Sequence, residues 1–78
     1  MSVNYNDLIT VEEKRSILQQ RITQFATEAY QHDLNKQTCE KVEDQAGVEN
    51  AEKALNVLKA AIEIHQAELK SLPEPAVE

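Results

Sequence analysis

The C-terminal half of the chain carries its seam positions in one unbroken series. Ala51, Leu55, Leu58, Ile62, His65, Leu69 and Leu72 stand at spacings of 4, 3, 4, 3, 4 and 3. Such an alternation brings every member to one stripe of an α-helix and spans three heptads, so it predicts a packing helix over residues 49–72. Beside the stripe runs a second row, Ala54, Val57, Ala61 and Ile64. Together the two rows are wider than a two-stranded seam needs, and they predict one face for each of two neighbours. Leu72, Pro73, Glu74 and Pro75 end the helix, because proline donates no backbone hydrogen bond and biases the preceding residue to extended backbone.

The N-terminal half is patterned more weakly. Thr10, Val11, Glu12 and Glu13 form a capping-box sequence, with two acids suited to the positive end of a helix dipole. From there Leu18, Ile22, Phe25 and Ala29 follow the same four-three spacing, and His32, Lys36 and Cys39 continue the register with fewer apolar groups. No Pro or Gly interrupts this segment before Gly47, which can adopt the left-handed conformation that closes a last helical turn. A first helix over about residues 10–45 is therefore expected. A turn near Asn35 is the rival reading, but it would leave a long linker made of good helix formers.

These elements give an all-α fold, an antiparallel two-helix hairpin turning near Gly47. Residues 1–9 form an N-terminal arm, 10–72 the hairpin and 73–78 a disordered tail. Reversal at Gly47 would set Phe25 near Leu69, Ile22 near Leu72, Ala29 near His65 and His32 near Ile62. At 1.5 Å rise per residue the helices would be about 50 and 35 Å long, so the first should overhang by roughly Val11 to Arg21. Assembly into a four-helix bundle or larger helical oligomer would cover what the hairpin leaves bare.

Composition supports this architecture and narrows the function. The 78 residues hold one Gly, two Pro, no Trp, one Phe and two Tyr, a helix-forming inventory near the size where one core only just offsets conformational entropy. Fourteen acids against eight bases give a net charge of −6, spread over both halves, which disfavours contact with nucleic-acid phosphates. The lone Cys39 and the absence of a basic-then-apolar leader point to a reducing cytoplasm. No apolar run approaches the ~20 residues needed to cross a bilayer, so no membrane partner is expected.

Candidate chemistry is sparse. His32 and His65 could titrate or ligate a metal, but both fall on inward seams about two turns apart, where packing histidines with a polar neighbour are the plainer reading. Cys39 has no neighbouring base or pocket in a two-helix chain and reads as a small packing residue. Glu49 with Lys53, and Lys59 with Glu63, are i, i+4 pairs of an exposed face. Lys14, Arg15 and Arg21 make a small basic patch with the look of a solvated face. No phosphate loop, HExxH, CxxC or EF-hand motif is present. No catalytic residue, metal or cofactor is expected. The packing seam should comprise Leu55, Leu58, Ile62, His65, Leu69 and Leu72 against Leu18, Ile22, Phe25 and Ala29, with Val57, Ile64, Val11, Ile17 and Tyr30 as partner-facing candidates. Tyr5 could anchor an interface as well.

At "LITVEEKRSILQQRITQFATEAYQHDLN", Leu8 to Asn35, and again at "NVLKAAIEIHQAEL", the chain resembles small helical proteins of tailed bacteriophages, in particular those of marine cyanobacteria. The resemblance lies in an acidic two-helix layout with an Ala-rich second helix and carries no functional residue. It implies a phage-encoded accessory, virion or regulatory protein in the host cytoplasm that acts by contact. Two readings follow: a non-enzymatic structural protein that self-associates or docks a helical face on a protein partner, and a small inhibitor or adaptor of a host or phage enzyme. A proton- or metal-dependent switch through His32 and His65 is a third.

Overall fold

Thr10 begins the first helix as its sequence demands. Its hydroxyl accepts the Glu13 amide and the Glu13 carboxylate accepts the Thr10 amide, both at 3.1 Å, which satisfies two of the donors a helix start leaves open. A computed structural model describes residues 3–73 and contains two α-helices, α1 (Val11–Lys41) and α2 (Gln45–Ser71), packed side by side as a hairpin. A 3-10 helix, Tyr5–Leu8, precedes them, held at its start by the Asn4 side chain accepting from the Asn6 amide. There is no strand among the described residues. Met1, Ser2 and all but Pro73 of the tail assigned to 73–78 lie outside them.

The reversal is near Gly47 but not at it. Val42, Glu43 and Asp44 make the turn, and Glu43 is the residue with positive φ, at 59°. The Asp44 amide bonds the Cys39 carbonyl at 2.8 Å and the Glu43 amide bonds that of Glu40 at 3.3 Å. This is the Schellman pattern, with a glutamate where glycine is the usual occupant. Asp44 then serves a second purpose: its carboxylate accepts the Gly47 amide at 3.0 Å and so N-caps α2. Gly47 thus lies in the first turn of α2 rather than at the end of α1. Its role is close approach, because a Cβ built there would stand 2.5 Å from both the Cys39 sulfur and an Asp44 carboxylate oxygen.

Moving the turn toward the N-terminus shifts the pairing. Lys36 reaches Glu52 at 3.7 Å, and His65 lies against Phe25 and Arg21, not against Ala29 as expected. The two helices are also closer in length, 31 and 27 residues. Val11 and Ile17 stay exposed on the expected overhang from Val11 to Arg21, but α2 runs beside it: Arg21 touches His65, and Arg15 donates to the Pro73 carbonyl at 2.6 Å, just past the C-terminus of α2. That contact places a cation at the negative end of a helix dipole. Of the basic patch, Lys14 and Arg15 are half-buried, while Arg21 is exposed but reaches across to His65 of α2.

The seams themselves fall where the spacing put them. Leu18, Ile22, Phe25, Ala29, His32, Lys36 and Cys39 of α1 are half-buried on the side of α2, and Leu58, Ile62, His65 and Leu69 of α2, with Leu72 at its C-cap, are half-buried as well. Among the described residues the buried side chains are Val48, Ala51 and Leu55, near the turn, and none of them is completely shielded. Packing is tightest where the helices are tied together and loosens toward the open end.

Candidate functional site

The most elaborate side-chain cluster lies on the seam in the open half. Arg21 Nε donates to His65 Nε2 at 3.0 Å, while His65 Nδ1 sits 2.6 Å from the Ala61 carbonyl. Arginine can only donate, so Nε2 accepts and Nδ1 carries the proton it gives to Ala61. Phe25 completes the group: its ring meets the imidazole edge-on, centroids 4.9 Å apart at 73°, and the Arg21 guanidinium lies over it at 5.1 Å. Both imidazole nitrogens are thus committed within the hairpin. His32 is half-buried farther along α1, and Cys39 is half-buried against Gly47 at the turn. Among the described residues no three His, Cys, Asp or Glu side chains converge as a metal ion requires.

What the hairpin offers instead is surface. An open groove of about 500 Å³ runs along its free end, lined by Leu18, Ile64, His65, Ala67, Glu68 and Ser71. A smaller one beside it brings Tyr5 and Ile9 of the N-terminal segment toward Ile17, Leu18 and Glu68. From these grooves the second row of α2 continues toward the turn. Ala54 and Ala61 are half-buried against the seam, but Val57 and Ile64 are 69% and 68% exposed. No charge interrupts α2 from Ala54 to Ile64 along this row; Lys59 and Glu63 project from the other side of the helix.

The remaining partner-facing candidates are dispersed. Ile17 shares the flank of Ile64 through the neighbouring grooves, whereas Tyr30 is exposed on the side of α1 turned away from α2, so it is no core residue. Val11 is 37% exposed at the open end. The expected i, i+4 ion pairs of α2 are not formed: the ion pair among the described residues is Lys36–Glu52, which crosses between helices. The outward side of α1 was not singled out from its sequence and has an unusual composition. Between Ser16 and Thr38 its exposed residues are Gln, Thr, Ser, Asn, Ala, Tyr, Ile and Leu, with Arg21 and Glu28 the only charged ones. Thr23, Thr27 and Thr38 turn their hydroxyls onto carbonyls one turn earlier, which internalises their polarity. A wheel drawn at 100° per residue would have found this side.

No helix among the described residues is long and apolar enough to cross a membrane. No family model matches the chain, and no curated protein or solved structure is significantly similar to it.

Proposed function

We propose that this chain is a non-enzymatic structural protein that works by self-association, joining hairpins through the second apolar row of α2. The observation that carries the reading is the exposure of Val57 and Ile64, two β-branched side chains about two-thirds bare in the middle of an uncharged helical row. Under this reading the protein is phage-encoded, a virion or accessory component in the host cytoplasm, a setting taken from its resemblance to small tailed-phage proteins. The alternative, a small inhibitor or adaptor of an enzyme, would use the arm of residues 1–9 or the stretch from Val11 to Arg21, where Val11 and Ile17 are exposed.

Sedimentation velocity across micromolar concentrations tests the proposal. Wild type should sediment as a dimer or larger species, and Val57→Lys with Ile64→Lys should shift it to monomer while circular dichroism stays helical. A wild-type chain that remains a folded monomer throughout the range would sink it.

A further inference from the structure

The row that would join two hairpins also encodes how they meet. Taking 100° per residue, Val57 and Ile64 define a line along α2, with Ala60 and Ala61 straddling it and Ala54 and Ala67 at its margins. Lys53 and Glu68 lie close to the same line, one beyond each end of the apolar stretch. Both are exposed, and neither takes part in the ion pair formed within the hairpin. The other charges of this stretch, Glu52, Lys59, Glu63 and Lys70, project more than a quarter-turn away.

The midpoint between Lys53 and Glu68 coincides with the midpoint between Val57 and Ile64, and with that between Ala54 and Ala67; all fall between Ala60 and Ala61. A face built symmetrically about one point, with opposite charges at its two ends, is complementary to itself after a half-turn. It is not complementary to a parallel copy, where Lys53 would meet Lys53 and Glu68 would meet Glu68. The line also lies about 120° around the helix from the seam, so a neighbour on it would not compete with α1.

We infer that a second copy of this chain docks antiparallel along α2, about a two-fold axis between Ala60 and Ala61, with Lys53 of each copy paired to Glu68 of the other. The inference rests on the self-association proposed above and adds the partner's orientation and register. Val57 of one copy then packs beside Ile64 of the other, and Asn50 beside Ser71. The alanines near the axis let the helix backbones approach toward the lower end of the usual 8–10 Å separation. Two ion pairs about 22 Å apart on each helix close the ends of a dry centre, so they fix register more than they add affinity.

Charge reversal separates this inference from its premise. Lys53→Glu and Glu68→Lys should each weaken the dimer roughly tenfold in sedimentation equilibrium at low salt, because each replaces two attractions by two repulsions. The combined variant K53E/E68K should return to within about threefold of wild type. In a Cys39→Ala background, Ala60→Cys should form an intermolecular disulfide readily, while Asn50→Cys should not, its copies being held about 30 Å apart. A dimer in which the double reversal gives no recovery, or in which Asn50→Cys cross-links as well as Ala60→Cys, overturns the register and leaves self-association standing. A monomeric wild type overturns both.

Discussion

Arg21 and His65 meet across the hairpin with the imidazole as acceptor, Nε to Nε2 at 3.0 Å, and this fixes which ring nitrogen bears the proton. Nitrogen-15 NMR should therefore report the Nδ1–H tautomer of neutral His65. Arg21→Ala should release the preference and lower stability by about 1 kcal/mol, the scale of one hydrogen bond. An Nε2–H tautomer in the wild-type chain would contradict the geometry.

Glu43 holds a left-handed backbone at φ 59°, which costs a residue with a Cβ about 1 kcal/mol or more relative to glycine. Glu43→Gly should raise the unfolding free energy by about 0.5–1 kcal/mol, part of the relief being offset by the freer unfolded chain. Glu43→Val, branched at Cβ, should lower it. Urea denaturation reads both.

At Gly47 the expectation is opposite to helix propensity. Alanine is favoured over glycine inside a helix by up to about 1 kcal/mol, yet its methyl would collide with the Cys39 sulfur and the capping carboxylate of Asp44. Gly47→Ala should thus destabilise by about 1–2 kcal/mol through overpacking and loss of the cap. The cost should shrink when the same change is made in a Cys39→Ala background. Equal cost in both backgrounds would assign the whole effect to Asp44.

Leu55 is the largest of the three buried side chains. Leu55→Ala should cost about 2–3 kcal/mol, a large share of what so small a core supplies, and thermal unfolding should broaden or vanish. Leu58→Ala, at a half-buried position next along the seam, should cost less. Reversal of that order would place the core nearer the open end.

Much of the fold was legible in the spacing of apolar residues. The capping box at Thr10, the end of α2 before Pro73 and the membership of both seams all appear where the pattern predicts. These are local properties: a helix has one period, and hydrophobic positions at that period must share a side. The exposed row of Val57 and Ile64 was equally visible, since a stripe too wide for one neighbour can be counted without coordinates. Less visible was the fate of Lys14, Arg15 and Arg21, because long cationic side chains can reach water or fold back, and only the position of the opposite helix decides between them.

The sequence by itself determined two amphipathic helices and the faces they bury. Tertiary structure decided how far one slides along the other. Seams that repeat every seven residues match again after a slide of one heptad, so periodicity alone fits a turn centred on Gly47 about as well as the actual turn at Val42–Asp44. The choice falls to contacts the pattern does not encode. Asp44 both closes α1 and caps α2, Glu43 takes the left-handed position, and Gly47 is left free to let Cys39 approach. Glycine was the better local candidate for the bend, but the close crossing of the helices needs a residue without a side chain more than the bend does.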